Sequence, residues 1–140
     1  MRVRLGLLLL FVIVPVAFSG EPPAQSDGAI AEVYYWKAKP GKVEEYNRYI
    51  REYALPIDRE AQRRGAFVSV STYLSQNPDS RWTHMRVFIL RDTKQEEALP
   101  KALDDAKLRL YPDEQERNRQ AAYSETLREA AGHETLKILQ

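Results

Sequence analysis

Apolar and polar residues alternate in several segments of the chain, and a period of two is the pattern of a β-strand. Segments 66–75 and 81–91 alternate in this way and contain several β-branched residues. Segment 30–39 combines Ile and Val with three adjacent aromatic residues and ends at a Pro-Gly turn. The last segment, 134–140, alternates again. The pattern predicts four strands, of which the second and third form a hairpin.

Other segments repeat apolar residues at steps of three and four, which is the spacing of one helical face. In segment 42–64 this face consists of Val43, Tyr46, Ile50, Tyr53, Ile57 and Ala61. Pro56 predicts a kink there, because the pattern continues in phase across it. A second helix is predicted to begin at residue 92 or 93 and to kink or restart at Pro100. A third, weakly amphipathic helix is predicted over 113–132, with Gly132 at its end.

The order strand, helix, strand, strand, helix, extra helix, strand predicts an α+β fold of the ferredoxin-like, split βαβ type. In this fold two helices cover one face of a four-stranded antiparallel sheet, and the other face stays bare. The first and third predicted strands carry large apolar side chains on both faces. We therefore predict a homodimer, in which a second copy of the chain covers the bare face.

The first twenty residues have the composition of a secretory signal peptide. Two arginines precede a weakly polar to apolar run over 5–18, and Ala17 and Ser19 place small residues before a cleavage site. The run is shorter than the roughly 20 residues that cross a bilayer. We predict a signal peptide over 1–20, a flexible leader over 21–29 and one domain over 30–140, in a periplasmic or secreted protein without a stable membrane span after cleavage. The alternative is an uncleaved N-terminal anchor.

Composition excludes several classes of site. The chain has no cysteine, which excludes disulfides, thiolate metal sites and cysteine nucleophiles. Its 21 basic and 20 acidic residues give a formal charge of +1, so nucleic acid is not an expected partner. The two histidines lie far apart, and the acidic pairs are adjacent residues, which do not share a helix face. This spacing does not suit a metal site, so no metal is expected. The sequence also lacks phosphate-binding and serine-hydrolase motifs, and no cofactor is expected.

A few residues carry a resemblance to a known superfamily. They are Lys39-Pro40-Gly41-Lys42, Glu45-Tyr46, Pro56-Ile57, Glu60 and Gly65. Together with the element order over 30–140, they resemble the dimeric α+β barrel superfamily, and within it small stand-alone members related to the NIPSNAP, EthD and antibiotic-biosynthesis-monooxygenase families. The resemblance implies a homodimer with facing sheets and a pocket between sheet and helices in each subunit. It also implies functions such as cofactor-independent oxygenation, polyketide cyclisation or haem degradation.

His84 is the candidate catalytic base, since a neutral imidazole can accept a proton near physiological pH. Alternation places it on one strand face with Trp82 and Arg86. Arg86 and Tyr34 are the candidate groups to hold a developing anion, in keeping with the cyclase or oxygenase members. The alternative is that His84 is a hydrogen-bonded packing residue. His133 follows Gly132 at a predicted helix end, where the helix dipole alone explains a cation.

Aromatic residues are the candidate lining of a pocket for a planar ligand, since rings offer large and rigid contact area. Trp36, Tyr73 and Trp82 are assigned this role. The alternative is that these rings form the core and a dimer interface. Haem-degrading relatives use a ring-distorting Trp and an axial His, and the spacing of Trp82 and His84 does not match that pattern, so haem is not predicted.

Three hypotheses for the function follow. The first is an exported dimer that binds a small apolar or aromatic molecule between sheet and helices. The second is a cofactor-independent monooxygenase or cyclase that acts on an aromatic or polyketide-like substrate with His84 as base. The third is a structural or accessory dimer in which the same residues pack. The enzyme requires His84 to face a cavity connected to solvent, whereas packing places it under a helix or in an interface.

Overall fold

The computed structural model describes residues 28–139. The predicted signal peptide lies outside these residues, and of the predicted leader only Gly28 and Ala29 are described. The strands are β1 (Ile30–Ala38), β2 (Ser69–Leu74), β3 (His84–Leu90) and β4 (Arg128–Lys137). They form one sheet in the order β2-β3-β1-β4, and every neighbouring pair is antiparallel. The predicted α+β fold with a four-stranded antiparallel sheet is confirmed.

The first helical region is divided by a π-helical turn. Helix α1 spans Val43–Tyr49, the π-turn spans Ile50–Ala54, and helix α2 spans Leu55–Arg63. Pro56 has no N–H to donate to the carbonyl four residues earlier, and its ring crowds that carbonyl. A wider turn just before the proline accommodates both effects. The irregularity therefore falls where the sequence predicts a kink.

The C-terminal region differs from the sequence prediction. Helix α3 (Thr93–Leu110) runs without a restart through Pro100. Helix α4 (Glu114–Leu127) ends five residues before Gly132, and β4 is ten residues long. The predicted helix end at Gly132 is wrong, because this glycine lies within β4 and pairs with Tyr35. The helix-dipole explanation of His133 is wrong for the same reason.

The core lies between the sheet and the helices. One buried cluster contains Ile30, Tyr53, Ile57, Ala61, Phe67, Phe88, Leu90, Leu99 and Ala106. A second contains Ala38, Tyr46, Ile50 and Leu127. All but Val43 of the predicted apolar face of the first helical region are buried. Each fully buried large apolar side chain contributes about 1.5–3 kcal/mol relative to exposure, so these clusters attach the helices to one face of the sheet.

The sheet face that points away from the helices is called the bare face here, and its side chains include Tyr35, Tyr73, Met85, Val87 and Leu136. Tyr73 pairs with Met85 across β2 and β3, and Met85 pairs with Tyr35 across β3 and β1. Tyr73 is 50% exposed and Leu136 is 45% exposed. None of the helices within residues 28–139 is long and apolar enough to cross a membrane.

Candidate functional site

A cavity of about 610 Å³ lies between the sheet and the helices. Its floor is formed by side chains of β1 and β3, namely Tyr34, Trp36, His84, Arg86 and Phe88. Its walls come from the first helical region, from α3 and from α4. The π-turn contributes three lining residues, Ile50, Tyr53 and Ala54, so the local widening of the helix shapes the cavity.

Aromatic rings dominate the lining. Tyr34 stacks on Trp36 with 5.8 Å between ring centroids, and Tyr49 contacts Tyr53 at 5.4 Å. Burial raises the pKa of Tyr46 and of Tyr53 to about 12. These phenols are therefore neutral at physiological pH, and each offers an O–H donor beside an apolar ring face.

His84 lies under α1 and is only 1% exposed. Its Nε2 lies 2.9 Å from Oδ1 of Asn47, and its Nδ1 lies 2.8 Å from the Thr83 hydroxyl. The amide nitrogen of Asn47 donates to Glu44, so its Oδ1 is placed to accept from Nε2 of His84. The single hydroxyl group of Thr83 lies within hydrogen-bond distance of both Nδ1 of His84 and the Trp36 carbonyl oxygen. Burial lowers the pKa of His84. The imidazole is therefore neutral, and both of its nitrogens are engaged within the protein.

Arg86 forms a buried ion pair with Asp58 of α2. The carboxyl side chain of Asp58 is 2% exposed, and the guanidinium side chain is 15% exposed. Burial lowers the pKa of Arg86 to about 10, with Tyr46 raising it and Arg128 lowering it to smaller extents. The guanidinium stays charged at neutral pH, and Asp58 balances that charge at the floor of the cavity.

Arg128, the first residue of β4, is a cavity residue that the sequence analysis missed. Its guanidinium lies 4.9 Å from the centroid of the Trp36 ring and 5.8 Å from that of Tyr46. The sequence pattern assigns Arg128 to a helix that ends at Gly132, so no signal in the pattern places it on the sheet. The sequence pattern places Tyr46 and Tyr53 on an apolar helical face and gives Tyr49 no role, although the recurrence of tyrosine on a buried helical face is a signal for a polar lining.

The predicted site residues divide between the two faces of the sheet. Tyr34, Trp36, His84 and Arg86 all line the cavity. The prediction that Tyr73 lines the same pocket is wrong, because Tyr73 pairs with Met85 and shares its opposite face. The prediction for Trp82 is also wrong. Trp82 precedes β3, so strand alternation does not govern it, and its ring contacts that of Tyr35 at 5.7 Å.

A second polar cluster involves Glu32, a buried carboxylate on β1. It interacts with Nε2 of His133 and accepts a hydrogen bond from the Thr135 hydroxyl. The imidazole of His133 stacks on Tyr34 with 4.4 Å between ring centroids. His133 thus packs against one face of the Tyr34 ring. Within residues 28–139 no group of three or more His, Asp or Glu side chains is placed to hold a metal ion.

The strand order and the helical layer define the class of the protein, which is a ferredoxin-like α+β fold. The chain is similar to the crystal structure of HapK from Hahella chejuensis, with a TM-score of 0.54, 7% identity and coverage of 79% of this chain and 92% of that chain. It is also similar to a dimeric protein of unknown function and ferredoxin-like fold from Bacteroides fragilis, with a TM-score of 0.51, 12% identity and coverage of 79% and 97%. At these identities the likeness shows the fold alone.

No family model matches the sequence, and no curated protein matches it. The resemblance to the NIPSNAP, EthD and antibiotic-biosynthesis-monooxygenase families therefore stays a prediction.

Proposed function

We propose that this chain is an exported protein that binds a small aromatic or apolar molecule in the cavity between its sheet and its helices. The observation that carries the proposal is the cavity itself, with a volume of about 610 Å³ and a lining of Tyr and Trp rings. Pockets for small molecules span about 300–1,000 Å³ and combine apolar walls with a few polar groups. The rings favour a planar ligand, since they offer flat contact surfaces at low conformational cost.

Binding is favoured over catalysis by the hydrogen bonds of His84. A base must offer a free lone pair to the ligand, but both ring nitrogens of His84 lie within hydrogen-bond distance of protein groups, Nδ1 of the Thr83 hydroxyl and Nε2 of Asn47. His84 also lies under α1, which is the arrangement expected of a packing residue. We therefore assign His84 a structural role at the floor of the cavity, and we assign Tyr34 and Trp36 to ligand contact.

The neutral fluorescent probe N-phenyl-1-naphthylamine tests the cavity. Ala121 of α4 lines the cavity, and Ala122, the next residue on the same helix, does not. A tryptophan at position 121 fills space that a ligand needs, so Ala121→Trp is expected to lower the affinity for the probe more than tenfold. Ala122→Trp is the matched control, with an affinity close to that of the wild type. Equal binding by both variants would place the probe elsewhere and remove the proposal.

We also propose that the protein is a homodimer joined through the bare face. The exposed apolar side chains of Tyr73 and Leu136 support this proposal, and the similar Bacteroides fragilis protein is described as dimeric. Two sheets that pack face to face would bury both apolar surfaces. Native mass spectrometry of the protein purified from an exporting host tests both export and dimerisation. The mass of the subunit shows whether the chain is cleaved after Ser19 or Gly20, and the mass of the assembly shows whether it is a dimer.

A further inference from the structure

We infer that the ligand of this cavity is an aromatic anion, whose acidic group is bound by Arg128. The inference rests on the proposed function, because it names the chemical class of molecule that the same cavity takes. Aromatic carboxylates and sulfonates belong to this class.

The charged groups that line the cavity do not balance. They are Arg86, Lys107, Arg117, Arg128, Asp58 and Asp104. Asp58 pairs with Arg86, and Asp104 pairs with Lys107 at 2.9 Å. Arg117 donates to the carbonyl oxygens of Tyr111 and Pro112 at 2.8 and 2.7 Å. Neither Arg117 nor Arg128 forms an ion pair with a carboxylate of residues 28–139. The carbonyl oxygens engage the Arg117 side chain, whereas Nε of Arg128 has no hydrogen-bond partner, so Arg128 is the cation placed to bind a negatively charged group of a ligand.

Three buried donor atoms of the lining have no hydrogen-bond partner within the described part of the chain. They are the hydroxyl oxygen of Tyr53, Nε of Arg86 and Nε of Arg128. A buried donor without a partner costs about 1–3 kcal/mol, and most buried polar groups in native proteins are paired. One buried acceptor of the lining, Oδ2 of Asp58, also lacks a hydrogen bond, but its charge is balanced by the ion pair with Arg86. The unpaired donors therefore suit an acceptor with negative charge.

The fold directs Arg128 toward the cavity through an irregularity in β4. Residues five positions apart on a regular strand point to opposite faces. The pairing of β4 with β1 shifts between Tyr35 and Trp36, so that Gly132 pairs with Tyr35 but Ala130 pairs with Trp36. The extra residue places Arg128 on the covered face together with His133.

Arg128 contacts Trp36 through a cation–π interaction, which uses no N–H donor. The Cζ atom of its guanidinium lies over the Trp36 ring, 4.9 Å from the ring centroid. The N–H bonds lie in the guanidinium plane and point outward, in the fork that matches a carboxylate or a sulfonate. An aromatic anion can therefore place its ring among the tyrosines while its acidic group meets the edge of the guanidinium.

A pair of fluorescent probes tests this inference. 1-Anilinonaphthalene-8-sulfonate and N-phenyl-1-naphthylamine share one ring system and differ by a sulfonate. The purified full chain is titrated with each, and only binding that Ala121→Trp abolishes is assigned to the cavity. We expect the sulfonate probe to bind at least tenfold more tightly, with an affinity that falls as salt is added. Cavity binding of both probes with equal affinity would overturn the inference and leave the proposed function standing. Failure of both probes to bind would overturn the two together.

The Arg128→Gln variant tests whether Arg128 supplies the positive charge that binds the sulfonate. It is expected to lower the affinity for the sulfonate probe about 10- to 100-fold, since a charge-assisted hydrogen bond is lost. Its affinity for the neutral probe is expected to stay within about twofold. Arg128→Lys should restore part of the sulfonate affinity. Arg119→Gln removes an exposed α4 cation that pairs with Glu116 and should change neither affinity. An equal loss of both probes in Arg128→Gln would assign Arg128 to wall packing and overturn the inference.

Discussion

The sheet face under the helices, called the covered face, and the bare face differ in the side chains that they carry. On the covered face, Glu32, His84 and Arg86 are all buried or nearly so, and each is bound by specific partners from another element or the adjacent residue. On the bare face, Met85 and Tyr73 pair across β2 and β3, and Tyr73 and Leu136 leave apolar surface exposed. Burying a polar group costs desolvation energy unless it is paired, so a set of buried and paired polar groups is typical of a binding site. Exposed apolar surface is instead typical of a protein–protein interface.

The largest expected effect breaks the polar arrangement of the covered face. Asp58→Ala leaves the Arg86 guanidinium buried without its carboxylate, and removing one member of a buried pair costs about 3–5 kcal/mol. We expect the free energy of unfolding, measured by urea denaturation, to fall by about this amount.

The matched control for Asp58 is Asp105→Ala, which breaks the exposed pair with Lys101 and should leave stability almost unchanged. The double variant with Arg86→Met should recover part of the loss, because no unpaired charge then remains. A loss below about 1 kcal/mol in Asp58→Ala would mean that the cavity solvates Arg86 and that the ion pair is not structural.

The second effect concerns the bare face. Met85→Asp places a carboxylate at the centre of the row formed by Tyr73, Met85 and Tyr35. If this row packs against a second copy, the charge is desolvated in the dimer, and the dissociation constant should rise about 100-fold or more. Sedimentation at several protein concentrations measures the change.

Leu108→Asp is the control for Met85→Asp, since Leu108 is an exposed apolar residue of α3 with 49% exposure. It should leave the oligomeric state unchanged. A wild-type protein that stays monomeric at high concentration, or a Met85→Asp variant that still dimerises, would contradict the assignment of the bare face.

The sequence predicts the fold where a strong period coincides with burial. The central strands β1 and β3 and the first helical region show that period, and their existence and order are as predicted. The end of the chain was predicted poorly, because α4 has almost no amphipathic pattern and its polar composition continues into β4. Gly132, an ordinary signal for the end of a helix, serves instead as a strand residue facing the Tyr35 ring, where a Cβ atom would lie 3.4 Å from Cδ2 of Tyr35.

The candidate site follows the same rule, since the side chains placed by a regular strand period could be predicted and the others could not. Alternation within the strands correctly groups Tyr34 with Trp36 and His84 with Arg86. It fails for Trp82, which lies before the strand begins, and for Tyr73, whose face depends on its register with β3. Arg128 depends on a shift in strand pairing, which is a property of two strands together and leaves no trace in the period of either one.

The smallest effect separates a packing role of His84 from a catalytic one through the pH dependence of stability. Burial holds the pKa of His84 below its ordinary value of about 6.5. Between that value and the lower folded-state pKa, the unfolded chain binds the proton that the folded chain does not. The free energy of unfolding therefore rises with pH across this window, and it falls as the pH is lowered through 6.5.

Urea denaturation between pH 7.5 and pH 5, where few carboxylates titrate, measures this slope for the wild type and for His84→Gln. The glutamine keeps a hydrogen-bonding side chain near Asn47 but has no proton to gain, so its slope should be shallower. Its affinity for N-phenyl-1-naphthylamine should stay within about twofold of the wild type, because the ring contacts of the cavity remain. A slope that is equal in both proteins would mean that the folded state protonates His84 freely, and the imidazole would then be available as a base after all.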